Sequence, residues 1–282
     1  DMVMNHPPGD HPCARMIREN GREFVNNPLV LENGRYRMDF EHMRKAVRGC
    51  GMFILCNPHN PGGRVWNPEE LEQVAEICAE SGTLVISDEI HAAPTHPGRW
   101  HTVFATVSEK ARNNAVTYMA ASKAFNVPGL ASSYLICQNP ALLEKYQNFV
   151  NGREMAEGHV FAYAGLISAY TEPGGEEWLR QALDYIQENI CYLDAEVRRR
   201  MPRIKALLPD ASYLVFLDGR ELNLSRQERE DFFVNGARLA LNNGAIFGKE
   251  GEGFMRLNAG CPRSVLARAL NQLEEAYRSR GF

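Results

Sequence analysis

The chain has 282 residues, of which 44% are hydrophobic, and its formal net charge is −4 at pH 7, so the length allows one large domain or two domains around substantial cores. The negative charge and the lack of a dense basic cluster argue against nucleic acid as a partner, and no run of eighteen apolar residues indicates a membrane span. Seven cysteines without a C-x-x-C pair fit neither a disulfide framework nor a zinc site, so we expect a cytoplasmic protein of enzyme size without a metal site.

The first clear pattern along the chain is a strand, a helix and a second strand. Residues 52–56 and 83–87 are short apolar runs typical of strands that are buried on both faces. The helix between them has its apolar residues at helical spacing, at Leu71, Val74, Ala75 and Cys78. Asn67 can cap this helix and Pro68 fits its first position. The order predicts parallel pairing in an open α/β sheet.

Polar side chains follow the ends of the predicted strands. Asn60 lies in NPHNPGGRVW at 57–66, Asp88 in SDEIH at 87–91 and Lys123 in SKAFNVPGL at 122–130. Ligands of open α/β sheets bind beyond the carboxyl ends of the strands. We therefore expect Asn60, Asp88 and Lys123 to lie together at one rim of the sheet.

A smaller α+β domain is predicted in the last part of the chain. The sequence TEPGG at 171–175 marks a boundary, and a long helix is predicted over 176–201. It is followed by a strand at 212–218, a helix near 226–241, a strand at 253–258 and a C-terminal helix. We predict a large domain over 1–175 and a small domain, including the connecting helix, over 176–282.

Four motifs together resemble those of the fold-type I pyridoxal 5'-phosphate (PLP) enzymes. They are the three motifs above and GFMRLNAGCPRS at 253–264. Their order and separations are similar to the branch of the aminotransferase class I/II superfamily that contains cystathionine β-lyase-like C–S lyases of the MalY/PatB type. The resemblance covers most of the chain from about Gly34 onward. It implies an α/β fold with a mostly parallel sheet in a large PLP-binding domain, incomplete at its N-terminus, followed by a smaller α+β domain.

The resemblance also implies a role for several residues. Lys123 would hold PLP as an imine and then act as the base that takes the substrate's α-proton. Asp88 would keep the pyridine nitrogen protonated, because the ring draws electrons only in that state. Asn60 would donate to the phenolic oxygen of the ring, and Ser122 would hydrogen-bond the phosphate.

Two further residues are candidates for the same site. His91 follows Asp88 by three positions, and both a direct contact to the cofactor and a purely structural histidine remain open. Arg256 resembles the family arginine that grips the substrate carboxylate as a bidentate fork. Without the resemblance, Arg256 would fit a surface position equally well, since it alternates with apolar residues in a predicted strand.

Part of the family pattern is absent from this chain. Family members carry roughly a hundred further residues before the position of Asp1, including the turn and helix start that cradle the PLP phosphate. The family's Pro-x-Tyr, whose ring stacks on the cofactor, aligns with Pro8-Gly9-Asp10. The sequence leaves open whether the chain is a fragment or a diverged form with impaired PLP binding.

The function that we expect is a PLP-dependent C–S β-lyase acting on cystathionine or cysteine-like amino acids, with a thiol, pyruvate and ammonia as products. One alternative is an aminotransferase that uses the same residues. Another is a catalytically impaired member with a regulatory or structural role. The resemblance further implies a homodimer with a small amino-acid substrate, while charge and hydropathy argue against a nucleic-acid or membrane partner.

Overall fold

The fold is built on a six-stranded sheet in the first half of the chain. It is seen in a computed structural model that describes residues 2–9, 11–155 and 158–282. The strands of this sheet are β1 (Met2–Asn5), β2 (Glu23–Asn26), β5 (Cys50–Cys56), β6 (Leu84–Asp88), β7 (Ala115–Met119) and β8 (Tyr134–Ile136). Their order is β2-β1-β5-β6-β7-β8, and all neighbours are parallel except β7 and β8. A separate hairpin consists of β3 (Val30–Glu32) and β4 (Arg35–Arg37).

Helices lie between the strands of this sheet and after them. They are α1 (His11–Glu19), α2 (Phe40–Ala46), α3 (Pro68–Ser81), α4 (Glu109–Asn113), α5 (Ala121–Ala124), α6 (Pro140–Asn151) and α7 (Val160–Thr171). Helix α3 confirms the predicted start, because Asn67 Oδ1 accepts a hydrogen bond from Glu70 N at 2.7 Å and Asn67 N donates one to Glu70 Oε2 at 2.9 Å. Its four predicted core residues are all buried.

A four-stranded antiparallel sheet forms the smaller unit. Its strands are β9 (Lys205–Leu207), β10 (Leu214–Asp218), β11 (Asn242–Asn243) and β12 (Phe254–Asn258), in the order β11-β12-β10-β9. The helices of this part are α8 (Pro173–Arg200), α9 (Arg226–Asp231) and α10 (Arg263–Ser279). The predicted fold class, a mostly parallel sheet followed by a smaller α+β part, is confirmed.

One predicted helix is wrong in its second half. The pattern near 226–241 predicts one continuous helix, but α9 ends at Asp231 and a π-helical turn, Phe232–Gly236, follows it. Gly236 disfavours continuation, and the chain then turns back so that Asn242 can pair with β12. Asn242 and Asn243 therefore form β11, the edge strand of the smaller sheet.

Two hydrophobic clusters fill the interior. The first lies between the large sheet and its helices, and it also contains Phe216 and Phe254 from the smaller sheet and Phe247 from the turn after β11. The second lies under α8 and α10. Phe216, Phe247 and Phe254 thus fix the smaller sheet against the larger one. The proposed division of the chain between residues 175 and 176 stays a prediction. Within the described ranges, no helix is long and apolar enough to cross a membrane.

Candidate active site

Three predicted site residues follow neighbouring parallel strands. Cys56, the last residue of β5, pairs with Asp88, the last residue of β6, and Asp88 pairs in turn with Tyr118 of β7. Asn60 lies in the loop after β5, and Lys123 lies in the short helix α5 after β7. The carboxyl ends of β5, β6 and β7 are therefore level, and this register brings the three residues to one rim as expected.

A cleft with a volume of about 570 Å³ opens at this rim. Asn60, His91, Lys123 and Arg256 all contribute to its lining. The structure thus brings together four of the six predicted site residues, from two loops and one short helix that follow strands of the large sheet and from one strand of the small sheet. Both charged groups among these four are cations, which suits a ligand with anionic groups.

Asp88 and Ser122 lie next to the cleft but are not among the described residues that line it. Asp88 is half-buried, and one of its carboxylate oxygens accepts a hydrogen bond from Ile90 N at 3.3 Å. Ser122 is half-buried beside Lys123 in α5. Asp10, expected in place of the stacking tyrosine, lies outside the described residues, so the loss of that aromatic ring stays a prediction.

Arg256 is held by contacts from both units of the fold. Its Nη1 donates to Asn60 Oδ1 at 2.9 Å, and its Nη2 donates to Asn242 Oδ1 at 3.0 Å. Its guanidinium carbon lies 4.6 Å from the centre of the Phe247 ring. The side chain is half-buried, while Leu257 beside it is buried. Arg256 therefore points into the cleft from a strand that is otherwise packed.

His91 is a buried imidazole on the wall of the cleft. Burial, together with the positive charges of Lys123 and Arg256, lowers the pKa of His91 from 6.5 to about 3. Its Nδ1 is buried and makes no hydrogen bond to the part of the chain that the structure describes. A buried polar atom without a partner is costly. The two cations and the amide that line the cleft fit a ligand with a planar ring and anionic groups, such as PLP.

The carboxylate of Glu89 forms a buried support behind Asp88. Its oxygens accept hydrogen bonds from Ser87 Oγ at 2.8 Å and from Phe104 N at 2.9 Å, and His101 Nε2 lies 2.6 Å away. The Glu89 side chain is fully buried. These bonds tie the end of β6 to the segment before α4 and fix the backbone that carries Asp88. Glu89 was not identified from the sequence, although a glutamate just after a predicted buried strand was a signal for it.

Two more residues of the cleft wall were also missed. Tyr213 lies directly before β10, and burial raises the pKa of its phenol although the charge of Arg256 opposes the shift. Asn242 lies on β11, directly after the segment that the sequence pattern predicted as a helix. Neither position carries a local pattern that separates it from an ordinary strand residue.

The chain matches the family model "Aminotransferase class I and II" over residues 8–273. It is 36% identical over 278 residues to "Cystathionine beta-lyase PatB" of Bacillus subtilis, and the match covers 98% of this chain and 71% of that protein. It is 34% identical over 280 residues to "Protein MalY" of Escherichia coli, with 98% of this chain and 70% of that protein covered.

Solved structures of PLP-containing proteins are also similar to this chain. Cystalysin from Treponema denticola, which contains a PLP cofactor, is 31% identical with a TM-score of 0.94, and the match covers 99% of this chain and 71% of that one. The PLP-bound C–S lyase from Staphylococcus hominis is 30% identical with a TM-score of 0.89, covering 98% and 70%. With the strand-end cleft, these matches show that the chain belongs to the aminotransferase class I and II family.

Proposed function

We propose that the protein is a PLP-dependent C–S β-lyase that acts on cystathionine or cysteine-like amino acids. The observation that carries this proposal is the cleft in which Lys123, Asn60, His91 and Arg256 meet at the carboxyl ends of the parallel strands. The relatives named as cystathionine β-lyase and C–S lyase support the reaction class.

Four residues would hold PLP. Lys123 would bind it covalently through Nζ, Asn60 would contact the ring oxygen and Ser122 the phosphate. Asp88 would hold a proton at the ring nitrogen. When bound, PLP supplies an electron sink that stabilises negative charge at the substrate's α-carbon.

His91 would pack beside the same ring as a neutral imidazole. The imidazole is buried, which favours its uncharged form. A neutral ring also avoids a third positive charge next to Lys123 and Arg256.

Arg256 and Lys123 would act on different groups of the substrate. Arg256 binds the α-carboxylate, and Lys123 Nζ, once released, takes the proton from the α-carbon. The β-carbon–sulfur bond then breaks and the sulfur leaves as a thiol. With one water molecule consumed, the remaining three-carbon unit is released as pyruvate and its nitrogen as ammonia.

We further propose that the protein works as a cytoplasmic homodimer. Helix α7 contains no charged residue, and only Ala162 of this helix is buried. Val160, Phe161 and Ile167 are each more than half exposed. An apolar helix face of this kind is typical of an interface. Light scattering on the purified protein tests this part, and a strictly monomeric species at micromolar concentration would contradict it.

The reaction class is tested by supplying cystathionine or cysteine with PLP but without any keto acid. A lyase continues to release thiol and pyruvate over many turnovers, since each cycle returns the cofactor to its starting form. An aminotransferase stops after one equivalent, leaves the cofactor in its amine form and restarts when 2-oxoglutarate is added. The second result would replace the lyase proposal by the aminotransferase alternative.

A further inference from the structure

The guanidinium of Arg256 lies in a cradle built largely from one short segment. Asn242 accepts from its Nη2 at 3.0 Å, and the Phe247 ring lies under it, with 4.6 Å between ring centre and guanidinium carbon. Asn60, from the other unit of the fold, accepts from Nη1 at 2.9 Å. Two sides of the planar group and one of its faces are thus held.

Backbone geometry places the segment 242–247 beside the arginine. Asn242 is paired with Arg256 in the ladder between β11 and β12, so their side chains are cross-strand neighbours. Asn243 Oδ1 then accepts from Ala245 N at 3.1 Å, which starts the 3₁₀ turn Gly244–Phe247. This turn returns the chain to the cleft and brings Phe247 under the guanidinium.

The turn requires glycine at its first position. A Cβ atom added to Gly244 would lie 2.1 Å from the carbonyl oxygen of Gly251 and 2.7 Å from that of Phe254. Both contacts are with backbone atoms that cannot rotate away. The close approach of the two segments therefore sets how near Phe247 comes to Arg256.

We propose that Asn242 and Phe247 are positioning residues that hold the Arg256 guanidinium in the plane in which it meets the substrate's α-carboxylate. Arginine loses considerable rotamer freedom when it is fixed, and a fork that is already fixed binds a carboxylate with less loss of entropy. Each Nη nitrogen carries two N–H groups, so an amide contact on one side is compatible with a bidentate carboxylate contact on another.

The chemistry of the two amides supports this role. Asn60 and Asn242 both accept hydrogen bonds from Arg256 without neutralising its charge. A carboxylate at either position would pair with the guanidinium and compete with the substrate. The cradle therefore orients the cation and preserves its attraction for an anionic ligand. That this ligand is an amino-acid carboxylate rests on the proposed function, whereas the orientation of Arg256 does not.

The test compares Asn242→Ala and Asn242→Asp with a matched control, Asn271→Ala. Asn271 is also an exposed asparagine whose Oδ1 accepts an arginine N–H, from Arg200 Nη1 at 2.7 Å, but this pair does not line the cleft. The full chain is labelled with ¹⁵N-arginine, and hindered rotation about the Nε–Cζ bond gives separate NMR signals for the two Nη nitrogens. The signals that disappear in Arg256→Lys are those of Arg256. We expect faster rotation of this guanidinium in Asn242→Ala and no change in Asn271→Ala.

Kinetics of the PLP-loaded protein give the second measurement. We expect Asn242→Ala to raise KM for the amino acid ~fivefold with kcat nearly unchanged, in keeping with the loss of one hydrogen bond to a charged group that solvent partly replaces. Asn242→Asp should raise KM further through competition with the substrate. If Asn242→Ala leaves both the Arg256 signals and KM at wild-type values, the positioning role is refuted. A chain without lyase activity would refute the proposed function, and the ¹⁵N measurement would still decide the role of Asn242.

Discussion

Arg256 and Asn60 are joined by a hydrogen bond of 2.9 Å that connects the large sheet with the small one. Asn60 follows β5 of the large sheet, while Arg256 lies on β12 of the small one. The residue expected at the cofactor ring and the residue expected at the substrate carboxylate thus touch directly. The roles proposed for these two residues imply that the position of the small sheet sets the geometry between cofactor and substrate.

Replacing Arg256 by alanine should weaken substrate binding more than it slows the chemical step. The substrate carboxylate would lose its charged partner in a partly buried cleft, at a cost of about 2–5 kcal/mol in kcat/KM. Steady-state kinetics of Arg256→Ala check this, with Arg238→Ala at an exposed position as the control. A kcat that falls by the same factor while KM stays constant would place Arg256 outside the carboxylate site.

Replacing Glu89 by alanine should destabilise the protein strongly. The side chain is fully buried and serves three groups at once, so its loss leaves Ser87 and His101 without their acceptor in the interior. We expect the free energy of unfolding to fall by about 3–5 kcal/mol in urea titrations. Glu109→Ala, which removes an exposed pair with Arg112, should cost at most about 1 kcal/mol. Similar costs for both variants would show that the Glu89 network is not a structural support.

Acid should destabilise the fold through its buried histidines. Burial lowers the pKa of His59 to about 3, that of His91 to about 3 and that of His6 to about 4, from 6.5. Between pH 6.5 and 4 the unfolded chain binds protons at these histidines and the folded chain does not, so stability falls as the pH falls. Each histidine contributes up to about 1.4 kcal/mol per pH unit in this window.

The variant His59→Gln isolates one of these contributions. It should flatten the dependence of unfolding free energy on pH below 6.5 and leave the dependence above pH 7 unchanged. Denaturant titrations at intervals of half a pH unit, in wild type and variant, measure both slopes. An equal slope below pH 6.5 in the two proteins would mean that His59 gains its proton in the folded state.

The sequence was informative where a local pattern has a direct structural cause. The helix α3 has an apolar face, a capping asparagine and a proline at its first turn, and all three act as predicted. Asn60, Asp88 and Lys123 were placed correctly at one rim because parallel strands end on the same side of a sheet. The short strands β1 to β4 and the antiparallel edge strand β8 were not predicted, since three or four residues carry too little periodicity.

The residues around Arg256 could not be predicted from local sequence patterns, for a different reason. Asn242 and Phe247 act through tertiary contacts, and Gly244 is needed because the backbone of Gly251 passes beside it. None of these contacts produces a recognisable spacing of residues along the sequence. The helix predicted near 226–241 ends directly before Asn242, because the apolar pattern continues past the point where the π-helical turn ends the helix.

Lys123 is the proposed attachment site of PLP, and borohydride labelling identifies the lysine that carries the cofactor. The purified chain is saturated with PLP, reduced with borohydride and digested, and the peptides are analysed by mass spectrometry. Lys145→Ala, at a lysine that does not line the cleft, serves as the control. We predict one pyridoxyl adduct, on the peptide that contains Lys123, in the wild type and in Lys145→Ala, and its loss in Lys123→Ala. Adducts only on other lysines, or an unchanged yield in Lys123→Ala, would exclude Lys123 as the attachment site.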